Sequence, residues 1–209
     1  MRDRPGYLPQ TPSQTAGPYV HIGLAPGAAG FSIFACELGG DIAGPNARGE
    51  RIRIEGRVTD GTGAPVKDAL IEVWQANAAG HYAHPEGGGE VEEGFRGWGR
   101  VICDFETGQW GFDTVKPGPV PWPGRSPEGR VVMQAPHVNL WIVARGINLG
   151  LNTRLYFPDE EEANAADPLL GLIEQEARRE TLIARRQGRG AYRFDIRLQG
   201  EGETVFLDI

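Results

Sequence analysis

The chain has 209 residues, of which 40% are hydrophobic and 23% charged, so it can bury one sizeable core and is short for two domains. Its formal net charge of -7 argues against a general nucleic-acid binder, which usually presents a net basic face. Cys36 and Cys103 are too few for a disulfide framework or a cysteine-based metal site, and both are predicted to be free thiols.

The N-terminal sequence MRDRPGYLPQTPSQ has no apolar stretch of the kind found in secretory signals. No run of the chain approaches the ~18 apolar residues of a membrane span. We therefore expect a soluble, cytoplasmic protein without a membrane partner. Residues 1–50 are rich in Pro and Gly and have one short apolar run at residues 31–35. Because such a segment must dock on a surface or stay disordered, we predict an N-terminal arm over residues 1–50 and a β-sandwich domain over residues 51–209.

Strand patterns begin at residue 51. Residues 51–58 alternate with a period of two, a turn with Asp60, Gly61 and Gly63 follows, and residues 69–74 form a more apolar strand. This pair is either a β-hairpin or a connection between two sheets. Further strands are predicted over residues 97–102, 111–115, 138–144, 153–157, 191–199 and 204–208.

Eight short strands with turns between them predict an all-β fold, an antiparallel two-sheet β-sandwich, because each strand buries one face and needs a second sheet to cover it. A helix is expected over residues 160–166, with Asp159 as N-cap and Pro168 after its end. A solvated acidic loop is the alternative there. A second short helix is expected over residues 174–184.

Five segments carry a resemblance to a known family. They read TPSQTAGPY at residues 11–19, EVWQA at 72–76, KPGPVPW at 116–122, QAPHVNL at 134–140 and QGEGETVF at 199–206. These segments resemble the intradiol ring-cleaving dioxygenases, and the resemblance extends over nearly the whole chain. It implies a β-sandwich that takes part in the cleavage of catechols by O2 at an Fe(III) ion.

The resemblance also indicates where iron ligands are missing. Iron-bearing chains of the family have two Tyr and two His, and these positions fall here on Tyr82, Val120, His137 and Asn139. An Arg that precedes the first His is replaced by Gln134. A ferric ion favours phenolate and imidazole ligands, whereas an aliphatic side chain has no lone pair and an amide is a poor ligand. The resemblance thus implies a vestigial site and no metal bound by this chain.

The resemblance therefore implies an iron-free alpha chain in an obligate alpha-beta hetero-oligomer, whose homologous beta chain binds Fe(III). Together they would cleave protocatechuate with O2 to 3-carboxy-cis,cis-muconate in the β-ketoadipate pathway of aromatic catabolism. Carried over residue by residue, Thr15, Gly17, Tyr19 and Arg145 would line the partner's substrate pocket at the interface. Arg145 would attract the substrate carboxylate, and Gly17 would allow close backbone approach.

Other interpretations stay open at this point. Tyr82 and His137 can be ordinary packing residues, Arg145 can form a surface or interface ion pair, and Thr15 and Tyr19 can touch only the partner chain. An autonomous metalloenzyme could use Tyr82, His84 and His137, with His81 or His21 as a further ligand. A non-enzymatic, transthyretin-like β-sandwich binding module is the other alternative, supported by the possible hairpin.

Overall fold

The computed structural model describes residues 14–35, 39–125 and 129–208. Short helices and connections join eleven strands in this part of the chain. The helices are α1 (Val20–Leu24), α2 (Glu161–Ala166) and α3 (Glu176–Arg179), with 3₁₀ turns at Leu170–Leu172 and Glu180–Leu182. The strands are β1 (Arg51–Thr59), β2 (Leu70–Trp74), β3 (Trp98–Ile102), β4 (Gln109–Val115), β5 (Val120–Arg125), β6 (Val131–Gln134), β7 (His137–Val143), β8 (Leu151–Tyr156), β9 (Arg185–Gly188), β10 (Ala191–Arg193) and β11 (Ile196–Arg197).

Two main sheets enclose the core. One sheet has the order β11-β1-β10-β9, with β4 also paired to β1, and the other has the order β3-β2-β7-β8. Alternate residues of β1 are buried, among them Ile52 and Ile54, and they meet Ile71, Leu140 and Ile142 of the opposite sheet in one hydrophobic cluster. Each such side chain contributes about 1.5–3 kcal/mol by leaving water. The predicted all-β, two-sheet fold is confirmed.

Most strand pairs are antiparallel, and the two parallel pairs both involve β1. β1 pairs antiparallel with β4 but parallel with both β10 and β11. Parallel neighbours need a long crossover connection, and here most of the chain separates the partners. β1 and β2 lie in different sheets, so residues 59–69 connect two sheets and do not form a hairpin.

Several strand boundaries differ from the predictions. The predicted strand at 191–199 is divided into β10 and β11, and residues 204–208 contribute only an isolated bridge between Leu207 and Asn152. β5, β6 and β9 were not predicted. Pro121 and Pro123 occur in β5 and lack backbone donors, which argues against a strand in most sheets, but β5 pairs with β6 alone and tolerates them.

The acidic segment near residue 160 is helical, as predicted, and the loop alternative is wrong. α2 covers Glu161–Ala166, and its N-cap position is Glu160, with no side-chain cap. Asp159 is not the cap because its carboxylate accepts bonds from Lys116 Nζ at 3.0 Å and from the Tyr192 hydroxyl at 3.1 Å. The second predicted helix is shorter than residues 174–184. It consists of α3 followed by the 3₁₀ turn at Glu180–Leu182.

Residues before β1 contribute to the same core. Ile42 is fully buried, and its backbone N–H donates to Asp113 O at 3.1 Å. Cys103 is a buried free thiol, and burial raises its pKa to about 12, while Cys36 lies outside the described residues. No helix within residues 14–35, 39–125 and 129–208 is long and apolar enough to cross a membrane.

Candidate functional site

The structure brings together the positions that the family resemblance assigns to a vestigial metal site, on the outer side of the four-stranded sheet and the adjoining hairpin. We call Tyr82, Val120, Gln134, His137 and Asn139 the degenerate cluster. His137 and Asn139 lie on β7, while Val120 of β5 and Gln134 of β6 are register partners in the hairpin. The cluster is thus assembled from separate elements, as the resemblance implies for a ligand set.

A tight turn and an aromatic contact position Tyr82. Gly80 has φ +82, and a Cβ there would lie 2.1 Å from the Pro119 carbonyl oxygen, so only glycine fits this turn. The Tyr82 ring stacks on Trp74 with centroids 5.4 Å apart. Its hydroxyl oxygen accepts a bond from Asn139 Nδ2 at 3.3 Å. Burial raises the pKa of Tyr82, so the phenol is held protonated.

His137 is buried and neutral. Its Nδ1 lies 2.7 Å from the Ala135 carbonyl oxygen, so this nitrogen carries the proton and Nε2 is left as an acceptor. The Tyr82 hydroxyl lies 3.5 Å from Nε2 and can donate to it. Burial first, and the positive charge of Arg154 second, lower the pKa of His137 to about 3.

Arg154, which was not predicted from the sequence as a site residue, connects the cluster. It is the register partner of Asn139 across β7 and β8, and its Nε donates to Asn139 Oδ1 at 2.9 Å. Its Nη1 donates to Gln134 Oε1 at 2.6 Å and lies 3.5 Å from the Tyr156 hydroxyl. The signal in the sequence is weak, a single Arg that shares a strand face with Tyr156.

The buried carboxylate of Asp167 forms hydrogen bonds with residues next to the cluster. The Tyr156 hydroxyl donates to Asp167 Oδ1 at 3.3 Å, and the backbone N–H of Ala135 donates to Asp167 Oδ2 at 2.8 Å. Asp167 Oδ1 also accepts bonds from the N–H groups of Leu169 and Leu170, each at 2.9 Å. These bonds fix the start of β7 and the tyrosine beside Arg154.

These residues do not fit a ferric ion. Val120 offers no donor atom, the Asn139 amide is bonded on both sides, and a guanidinium bonds directly to the cluster. The described residues contain no group of three or more His, Cys, Asp or Glu side chains that could hold a metal. The alternative ligands have other partners: His84 Nδ1 accepts from Glu86 N at 3.2 Å, and the His81 ring lies 3.2 Å from Glu90 O.

The four residues assigned to a partner's pocket lie elsewhere, at the far end of β7. Thr15 Oγ1 accepts a bond from Gly146 N at 2.7 Å, and Ala16 forms a parallel bridge with Arg145. Tyr19 is 75% exposed, and the position of a Cβ at Gly17 has no atom within 4 Å. The structure therefore brings Thr15 and Arg145 together, with Gly17 and Tyr19 on the exposed part of the same segment.

Arg145 borders a cavity of about 490 Å³ at this edge. Its Nε lies 2.5 Å from Asp68 Oδ2, and the side chains are 57% and 13% exposed respectively. His21 lines the same cavity, and its ring contacts Phe105 edge to face at 5.0 Å. Arg145 lies six positions along the chain from Asn139 and beyond the end of β7 at Val143, roughly 20 Å away in an extended chain, so Arg145 is too far to serve the degenerate cluster of its own chain.

The sequence of the chain is similar to those of known dioxygenases. The dioxygenase family model matches residues 40–200. The chain is 53% identical over 204 residues to the protocatechuate 3,4-dioxygenase alpha chain of Pseudomonas putida, which covers 96% of this chain and 97% of that one. It is 38% identical over 165 residues to the protocatechuate 3,4-dioxygenase beta chain of Burkholderia cepacia, covering 75% of this chain and 67% of that one.

The fold is also similar to that of a solved enzyme. The structure of 3-chlorocatechol 1,2-dioxygenase from Rhodococcus opacus 1CP superposes with a TM-score of 0.57 at 23% identity. The match covers 80% of this chain and 68% of that chain. At this identity the similarity concerns the fold alone.

Proposed function

Because this chain belongs to the intradiol dioxygenase family, we propose that it is the alpha subunit of a protocatechuate 3,4-dioxygenase. The observation that supports the proposal most is the degenerate cluster: at two positions that the family pattern assigns to iron ligands, Val120 offers no donor atom and the Asn139 amide is bonded to other groups. A chain that keeps this fold without a usable metal site depends on another chain for the metal. The near full-length similarity to an alpha chain supports the same conclusion.

The proposed partner is a homologous beta chain that binds Fe(III) in an obligate alpha-beta hetero-oligomer. The similarity of this chain to a named beta chain supports two subunits of common fold. In this proposal the beta chain would hold a ferric ion, which would supply the activation of the catechol toward O2, while the present chain would supply pocket walls and charge. Location in the cytoplasm belongs to the same proposal and rests on the sequence expectation alone.

The proposed reaction is cleavage of protocatechuate between its two hydroxyl-bearing carbons, with both atoms of O2 entering the product, 3-carboxy-cis,cis-muconate. Arg145 would attract the substrate carboxylate, because a guanidinium pairs with a carboxylate through planar, charge-assisted hydrogen bonds. Thr15, Gly17 and Tyr19 would approach the same pocket from the arm. The exposure of Arg145 and Tyr19, and their position far from the degenerate cluster, support a role toward a neighbouring chain.

The two rival interpretations receive less support. An autonomous metalloenzyme requires a ligand set around Tyr82 and His137, and His84 and His81 have partners of their own. A transthyretin-like binding module would not explain a dioxygenase family match over residues 40–200.

Co-expression with a homologous beta chain tests the proposal. The two chains should co-purify, hold about one iron per alpha-beta pair, and cleave protocatechuate in preference to catechol or hydroxyquinol. The matched control is each chain expressed alone. Two results would overturn the proposal: ring cleavage by the isolated chain with its own iron, or a beta chain that is fully active and assembled without it.

A further inference from the structure

The ion pair between Asp68 and Arg145 uses only one side of the guanidinium. Asp68 Oδ2 lies 2.5 Å from Arg145 Nε, and the Asp68 side chain is only 13% exposed. Within the part of the chain that the structure describes, this carboxylate has no second cation, and the Nη1 and Nη2 atoms of Arg145 have no acceptor. The Nε side is therefore occupied, and both Nη atoms are available to another anion.

The backbone around Asp68 is held by the core of the sandwich. The next residue, Ala69, is fully buried, and its carbonyl oxygen accepts a bond from Cys103 N at 2.8 Å. On the other side, Val66 N donates to Val58 O at 2.8 Å. The position of the carboxylate is thus set by the fold and not by its arginine partner.

The Arg145 side chain, in contrast, is long and largely exposed. Its backbone is fixed, since the buried Ala144 precedes it and Ala16 forms a bridge with it. The side chain itself is 57% exposed and borders two cavities of about 490 and 520 Å³. An exposed arginine can adopt many rotamers, so the bond to Asp68 is what selects one orientation of the guanidinium.

We propose that Asp68 is a positioning residue for substrate recognition: by holding Nε, it presents the Nη1 and Nη2 edge of Arg145 to the carboxylate of the substrate. The inference rests on the proposed function and gives the carboxylate contact its geometry. The planar guanidinium can donate two parallel bonds to one carboxylate through this edge. Because Asp68 orders the arginine before the substrate arrives, substrate binding does not bear that entropic cost.

Asp68 also has an effect of opposite sign on substrate binding. Its negative charge compensates part of the Arg145 charge and weakens the attraction for an anion. If the carboxylate becomes an amide, loss of compensation alone would increase the use of protocatechuate, whereas loss of positioning would decrease it. We expect the decrease, because solvent and salt screen the attraction at an exposed site, whereas a contact with two parallel bonds requires one particular orientation.

The test is Asp68→Asn in the reconstituted alpha-beta complex, with kcat/KM measured for protocatechuate and for catechol, which has no carboxylate. The protocatechuate-to-catechol ratio should fall about three- to tenfold, the cost of freeing one side chain that was held in place. Asp113→Asn is the matched control. It removes the carboxylate that pairs with Arg53 at 2.9 Å on the other sheet, and it should leave the ratio unchanged.

A double-mutant cycle separates positioning from general damage to the fold. In the Arg145→Ala background, Asp68→Asn should change the ratio by less than about twofold, because Asp68 acts through Arg145. A residue that only stabilised the fold would affect both substrates alike. Gel filtration and urea unfolding of each variant check assembly and stability.

Three results would overturn the inference: a ratio that is unchanged or higher in Asp68→Asn, an equal loss toward both substrates, or the same fall of the ratio in the Arg145→Ala background. If Asp68→Asn does not assemble, Asp68→Glu and Asp68→Gln are compared, since they differ in charge but not in length. A lower ratio in Asp68→Gln supports the inference, and an equal or higher one contradicts it.

Failure of the proposed function gives a different result. A wild-type complex that does not cleave protocatechuate would overturn the proposed function and this inference with it. If the inference alone is wrong, the wild-type complex is active and Arg145→Ala lowers the ratio, but Asp68→Asn does not.

Discussion

The Nε atom of Arg145 lies 2.5 Å from Asp68 Oδ2, in an ion pair whose acid is largely buried and whose base is largely exposed. The pair joins the loop before β2 to the end of β7, so it holds the guanidinium at the edge of the sandwich. Asp68 also compensates part of the arginine charge. Any attraction of Arg145 for a substrate anion must therefore exceed the competition from this carboxylate.

Arg145→Ala in the reconstituted alpha-beta complex should reduce kcat/KM for protocatechuate. The loss of transition-state stabilisation should be about 1.5–3 kcal/mol, the usual scale of a charged hydrogen bond. Catechol should be affected less, because it has no carboxylate to lose a partner. Steady-state kinetics on both substrates measure the difference. Arg145→Lys is the matched control, and it should retain part of the preference because it keeps the charge without the planar fork.

An equal loss toward both substrates would make Arg145 an interface residue. No loss, with iron content and assembly intact, would make it dispensable.

The chain purified alone should hold no stoichiometric iron and should lack the tyrosinate-to-iron absorption. The reason is that Val120 and Asn139 remove half of the expected ligands and Tyr82 stays protonated. Elemental analysis and a visible spectrum are sufficient. One ferric ion per chain, together with that colour, would show that the cluster is a working metal site.

Without a partner, the chain should self-associate. Phe31, Ile33 and Phe34 in the N-terminal segment are 48%, 65% and 59% exposed, and Tyr19 is still more so. Exposed apolar groups of this kind are normally covered in an obligate complex. Analytical ultracentrifugation gives the size distribution, and limited proteolysis compares the segment before and after a beta chain is added. A well-behaved monomer with a protease-resistant arm would argue against an obligate partner.

His137 should make the fold sensitive to mild acid. Its pKa is about 3 in the folded chain and near ~6.5 when unfolded, so the unfolded state binds the proton more readily between these values. Stability is therefore fully present above ~6.5 and falls with pH by up to about 1.4 kcal/mol per unit. Urea unfolding at low protein concentration should show a loss of about 2 kcal/mol from pH 7 to pH 5.

The His137→Gln variant supplies the control, since it retains polar atoms but cannot titrate. It should lose much less stability over the same interval. An equal pH dependence in both chains would assign the acid sensitivity to other groups.

The sequence predicted the strands whose burial pattern can be read from neighbouring residues. The alternation of Ile52 and Ile54 with charged residues predicted β1, because a strand that buries one face repeats with a period of two. β5 was missed because proline is generally excluded from strands inside a sheet. β5 pairs with β6 alone, so it tolerates Pro121 and Pro123. The parallel pairing of β1 could not be predicted, since it depends on which distant strand becomes its neighbour.

The same distinction applies to the site. The residues of the degenerate cluster were found because their positions match a family pattern. Arg154 matches no motif, and its role arises from cross-strand pairing with Asn139 and from the pairing of β6 with β5, with Gln134 of β6 within reach of the guanidinium. Such a role becomes visible only when the strands are in register.

The pairing of β1 with β10 affects how the chain can be made. Ile54 is a register partner of Tyr192, so at about 5–20 residues per second one edge of β1 waits roughly 7–30 s on the ribosome for its neighbour. An open edge of this kind can pair with a strand of another nascent chain. The outward residues Arg51, Arg53, Glu55 and Arg57 place charges at every second position of that edge, which disfavours such pairing until the C-terminal strands arrive.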